Sequence, residues 1–177
     1  LTTVLMYFAA TSNWVVTIGG LGLGGAAAVI AYRAFPYVQT RVAIWKNPWI
    51  DPLESGHQIV QALIAIGSGG LFGMGLGLGR PRNIPLYHSD FIFAAIAEEF
   101  GLVFSICLLA IYVLVILRGM VVAMNARTSF HSLAAFGIVA MLGLQTMLIV
   151  GGNTKLIPLT GVTLPLVSAG GSSLVST

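Results

Sequence analysis

From Phe100 to Leu117 the chain reads FGLVFSICLLAIYVLVIL, eighteen residues without a charge. Few folds accept such a run. It is much longer than a buried strand of about four to eight residues. It lacks the alternation of the roughly ten-residue strands in membrane barrels. As a helix it would extend about 27 Å, close to the ~30 Å hydrocarbon core of a bilayer. Apolar runs recur from Trp14 to about Tyr32, from His57 to about Phe72 and from Leu133 to Val150. Only 7% of the 177 residues are charged, against about a quarter in a soluble domain. That is too little polar surface to cover a globule of this size. The sequence predicts an all-α, polytopic transmembrane helical bundle, and its 22 glycines suit closely packed membrane helices.

The net charge of +3 is small and dispersed, which argues for no nucleic-acid partner. Cys107 is the one cysteine, so no internal disulfide forms, and nothing beside it suggests a metal. The chain opens at Leu1 within an apolar run and stops at GGSSLVST, where another helix could begin. Residues 1–177 therefore read as a single membrane domain that is a fragment of a longer protein. The basic residues suggest a topology. Arg33, Arg41 and Lys46 precede the third run, and Arg118 and Arg127 follow the long helix. If every run spans once, these loops share a side, and the positive-inside rule makes it the cytoplasm. Segments Arg33–Ser55 and Arg118–Ser132 are then expected inside, with Arg80–Asp90 and Gly151–Ser173 outside. Gly- and Pro-broken backbone borders the outer loops. At membrane depth such backbone needs shelter from protein or a cavity, so a site on the outer face is expected.

Three of the five acids fall in one stretch, IPLYHSDFIFAAIAEEFG, from Ile84 to Gly101. Asp90, at the start of the long helix, reads either as an N-cap together with Ser89 or as a working carboxylate. Glu98 lies eight residues on, about 12 Å down the helix and about 80° around it. Glu99 points away from Asp90, so the two line one cavity only if the helix kinks. Structural hydrogen bonds to neighbouring helices are the simpler reading of Glu98 and Glu99. Arg80 and Arg82 are either lipid-phosphate anchors or a clamp for substrate phosphates, and Lys155 has the same two readings. His88 either sits at the interface or moves a proton. GSGGLFGMGLGLG lacks the strand context and Lys-Ser/Thr ending of a nucleotide loop. Its glycines instead predict close packing and a bend at a helix end. GGSS at 170–173, with Ser172 and Ser173, reads either as a turn or as part of a substrate site.

Three segments taken together are more specific. GHQIVQALIAIGSGGLFGMGLG, HSDFIFAAIAEEFG and IPLTGVTLPLVSAGGSSL closely resemble the signature blocks of the SEDS family, the FtsW, RodA and SpoVE type of shape, elongation, division and sporulation proteins. RVAIWKNPWIDP resembles the segment before the first block. The likeness extends from about Tyr32 to the end, with order and spacing kept. Two positions depart from it. Ala169 stands where the family usually has Tyr, and RPRNIPLY replaces the commoner loop before His88.

The resemblance implies a fold of about ten spanning helices, of which this chain holds roughly the fifth to the start of the tenth. It implies a peptidoglycan glycosyltransferase that polymerises lipid II during cell elongation, division or sporulation. Such a protein works in the bacterial cytoplasmic membrane, among membrane lipids, with its active site facing outward. A class B penicillin-binding protein is the implied partner. Asp90 matches the aspartate of the family's H-[ST]-D-F-I-F motif and becomes the implied catalytic residue. The reaction inverts the anomeric centre, so it needs a base for the attacking hydroxyl and positive charge for the departing pyrophosphate. Arg80, Arg82, Lys155 or a divalent cation such as Mg or Mn could supply that charge, with His88, Ser172 and Ser173 nearby on the substrate. A flippase for lipid-linked precursors and a non-catalytic scaffold for a penicillin-binding protein are the competing readings. The fragment alone is expected to be inactive.

Overall fold

The computed structural model describes residues 2–54, 56–79 and 89–168, and their regular structure is entirely helical. In order come α1 (Thr2–Thr11), α2 (Trp14–Ala34), α3 (Pro36–Lys46), a 3₁₀ turn (Pro48–Ile50), α4 (His57–Gly69), α5 (Ile92–Met124) and α6 (Ser129–Asn153). Local chemistry sets several boundaries. The Asn13 side chain accepts from the Val15 N–H and starts α2. Phe35 precedes a proline and adopts the extended conformation that this position favours, which ends α2. Pro36 then opens α3, where its missing N–H costs nothing.

Only α2, α5 and α6 are long and apolar enough to cross a membrane among the described residues. The expected span from His57 to Phe72 is not one. Its helix, α4, has 13 residues, about 20 Å against a core of ~30 Å. It stops at Gly70, whose φ of 53° lies in the left-handed region.

The chain forms two compact units, Leu1–Thr40 with Tyr112–Leu144 and Arg41–Ile111 with Gln145–Thr177. In the first, small residues set the spacing between helices. Gly20 faces Val4, Gly137 faces Met6, and Gly119 lies so close to Val139 that no Cβ would fit. The second unit is built around Ala62, Ala65, Phe91 and Ala94, with Ile66 and Leu159 packed against them. Three alanines let α4 lie close to the start of α5, and Phe91, fully buried, fills the space beneath.

Helix α5 is interrupted at Gly101, with φ 84° and ψ 177°. That conformation is essentially restricted to glycine. In an unbroken helix Leu102 and Val103 would donate to the carbonyls of Glu98 and Glu99. Here they donate to Gly70 O (2.9 Å) and Leu71 O (3.2 Å) instead. The freed carbonyls of Glu98 and Glu99 accept from Met74 N (2.9 Å) and Gly75 N (3.0 Å). The glycine-rich turn after α4 thus completes the broken ladder of α5 through four bonds. It does so about 10–20 Å along the helix from Asp90, at a depth where lipid could satisfy none of them. Segment 57–79 is therefore re-entrant: it enters beside α5 and turns back. Gly69 and Gly73 fit because their missing side chains leave room for the Ala97 and Glu99 carbonyls.

Candidate functional site

Asp90 lies two residues before α5 begins at Ile92. Phe91, the residue between, supplies the first capping carbonyl, accepting from Ala95 N at 3.1 Å. Of the two readings of Asp90, the helix cap is not seen among the described residues. Burial of Phe91 fixes where the helix starts and leaves Asp90 outside the first turn. Its side chain is half-buried, and no described residue hydrogen-bonds to its carboxylate. Carboxylate Oδ2 instead faces Gly161, where a Cβ would stand 3.7 Å away.

The main chain around Asp90 is held, although its carboxylate is not. The Asp90 carbonyl accepts from Asn153 Nδ2 at 2.9 Å. The Ser89 carbonyl accepts from Ser168 Oγ at 2.9 Å. Both donors are buried, Asn153 at 0% exposure and Ser168 at 1%. They come from either end of segment 153–168, which runs across the start of α5. Two further side chains hold that segment from α3. Arg41 donates to Leu159 O at 2.8 Å, and Trp45 Nε1 donates to Lys155 O at 3.1 Å.

These contacts overturn the expected topology. Arg41 and Lys46 were expected across the membrane from Asp90 and Gly151. With α4 too short to span, α3 and segment 153–168 instead share one face, joined by direct hydrogen bonds. Arg41, Lys46 and Lys155 then lie on the side of Asp90, so basic residues no longer assign that side to the exterior.

Lys155 occupies an unusual position. Leu156 N bonds Gly151 O at 2.8 Å and Lys155 N bonds Gly152 O at 3.3 Å, the paired pattern that terminates many helices. Lys155 is the left-handed residue of that motif, with φ 62°, where glycine is the usual choice. Its ammonium meets no described partner. An acid and a cation, neither with a partner among the described residues, therefore occur on neighbouring, well-held stretches of main chain.

Glu98 and Glu99 lie further along α5, beside the re-entrant turn, where a Cβ at Gly79 would touch both side chains at 3.2 Å. Their neighbour is a glycine turn rather than a long helix. Arg80, Arg82, His88, Ser172 and Ser173 lie outside the described residues. Among the described residues no three His, Cys, Asp or Glu side chains gather as metal ligands. Asn153, Ser168, Arg41 and Trp45 were not singled out as site residues in the sequence. Their partners are main-chain oxygens, which leave no mark in it.

Known proteins resemble this chain along its whole length. The family model for FtsW, RodA and SpoVE, described as cell cycle protein, matches residues 1–177. The peptidoglycan glycosyltransferase RodA of Mycobacterium tuberculosis is 45% identical over 98% of this chain and 37% of its own length. The stage V sporulation protein E of Bacillus subtilis is 41% identical over 98% of this chain and 48% of its own. A solved structure from work on the coordination of polymerization and crosslinking by a peptidoglycan synthase complex superposes with a TM-score of 0.74. It is 30% identical and covers 97% of this chain and 48% of its counterpart. The chain thus spans less than half the length of these relatives. Matched along its whole length, and carrying three helices long and apolar enough to cross a membrane among its described residues, this chain belongs to the FtsW/RodA/SpoVE family of multi-pass bacterial membrane proteins.

Proposed function

We propose that this chain carries the polymerising centre of a peptidoglycan glycosyltransferase, with lipid II as substrate and Asp90 as the general base. The observation that carries the reading is the state of Asp90. Its carboxylate is half-buried and unengaged by any described residue, while the carbonyls on both sides of its Cα are pinned. A cap or a packing residue would have its oxygens satisfied. A base needs them free and aimed.

In the reaction the attacking sugar hydroxyl gives its proton to the Asp90 carboxylate as its oxygen bonds the anomeric carbon. The bond to the pyrophosphate breaks, and negative charge collects on the leaving group. Lys155 is assigned to that charge, and Arg80 and Arg82 are assigned the same task. Glycan strands are assembled outside the cell, so Asp90, segment 153–168 and α3 face outward. A class B penicillin-binding protein is the proposed partner, supported by the similarity to a chain from a synthase complex.

The test is Asp90→Asn in the full-length protein. The amide keeps the shape and cannot take the proton. Since a positioned base contributes about 10²–10⁴-fold in rate, polymerisation of purified lipid II should fall by that factor while lipid II binding persists. Wild-type polymerisation by Asp90→Asn would remove Asp90 from the chemistry.

A further inference from the structure

Asn153 ends α6 with no solvent exposure. Its Nδ2 donates to two carbonyls, Ile149 O within its own helix and Asp90 O, each at 2.9 Å. Two acceptors on one side fix the orientation of the amide, because the flipped form would set Oδ1 against both carbonyl oxygens. The correct orientation has a consequence. Oδ1 is buried with no hydrogen-bond partner among the described residues. A buried unpaired amide oxygen is costly, and such groups in a native fold call for an explanation.

The bond to Asp90 offers one. The Asp90 carboxylate makes no described hydrogen bond of its own, so its direction depends on the main chain that bears it. Three contacts hold that main chain. Ser168 fixes the peptide before Asp90, Asn153 fixes the peptide after it, and Phe91 locks the next side chain into the core. Among the described residues, Asn153 alone donates to the Asp90 carbonyl. An apolar residue there would relieve the unpaired oxygen but would leave the Asp90 carbonyl without this donor and free to rotate.

We propose that Asn153 is a positioning residue. It orients the peptide after Asp90 so that the unengaged carboxylate points at the acceptor hydroxyl. The inference rests on the reading of Asp90 as base, and it predicts that Asn153 acts on rate only through Asp90.

The experiment measures lipid II polymerisation by the full-length protein carrying Asn153→Ala, Asp90→Asn, and both. Asn153→Ala should lower kcat about 10–100-fold, leave KM within about twofold, and leave the thermal unfolding midpoint in detergent close to wild type. In the Asp90→Asn background it should lower the residual rate no further, because residues acting as a unit are not additive. Full turnover by Asn153→Ala beside a dead Asp90→Asn would overturn the positioning role and leave the base reading standing. Additive losses would overturn it too. Wild-type turnover by Asp90→Asn would instead sink the reading beneath it.

Asn153→Asp keeps the shape and covers the case in which Ala fails to accumulate. The protonated acid can still donate to the Asp90 carbonyl, whereas the ionised form cannot. Its activity relative to wild type should therefore fall as pH rises. A ratio independent of pH would refute the proposal.

Discussion

Replacing Gly101 with Ala tests whether the break in α5 is built into the fold. At φ 84° and ψ 177° any residue with a Cβ is strained, at about 1–3 kcal/mol. The added methyl would also collide with the backbone of Gly73 and Leu71. Those atoms belong to the turn that completes the α5 ladder, so they cannot move without stretching the bonds to Leu102 and Val103. Losing two buried bonds adds about 1–3 kcal/mol each, for a total of roughly 3–9 kcal/mol. Gly67→Ala is the matched control. It lies within α4 with nothing within 4 Å of the added Cβ, and its helix should gain up to ~1 kcal/mol. Thermal unfolding of the full-length protein in detergent, followed by loss of the monodisperse peak, reads both. Gly101→Ala should melt well below wild type or fail to accumulate, while Gly67→Ala should melt at or above it. Equal midpoints for the two variants would mean that α5 straightens without cost and that the exchange of bonds is incidental.

Lys155→Gly should raise the thermal midpoint, because it relieves left-handed strain of roughly 1–2 kcal/mol, and should lower lipid II polymerisation. A stabilised variant with full activity would reduce Lys155 to a helix terminator. Cysteines placed singly at Glu54 and Thr160, both exposed, in a full-length Cys107→Ser background, should be labelled by an impermeant reagent from the same side of the membrane. Labelling from opposite sides would restore the topology read from basic residues.

The three spans were legible because hydropathy is a sum over about twenty residues, and α2, α5 and α6 supply it without ambiguity. Helix α4 was misread for the same reason. A sum over HQIVQALIAIGSG and the residues after it does not distinguish a crossing from a descent that turns back. What decides is Gly70, and a glycine's φ is invisible in sequence. The topological error followed, since one false crossing moved Arg41 and Lys46 to the wrong side. Asp90 was legible as a candidate from its motif. Its release from the cap was not, because the burial of Phe91 against Ala62 and Ala65 decides it. The contacts that hold the site join residues 63 to 118 positions apart. Side-chain donors meeting main-chain acceptors at that range follow no periodicity.

All four pins on the site share that asymmetry. Arg41, Trp45, Asn153 and Ser168 donate through side chains, and Leu159, Lys155, Asp90 and Ser89 accept through backbone oxygens. An accepting residue can therefore mutate without unfastening anything, while a donor cannot. Substitutions at 155 and 159 can change the charge and shape presented to a substrate, yet the frame beneath stays in register. Lineages can then diverge in what they bind over an unaltered scaffold, with variation tolerated at 155 and 159 and constraint falling on the donors and on the Asp90 carboxylate.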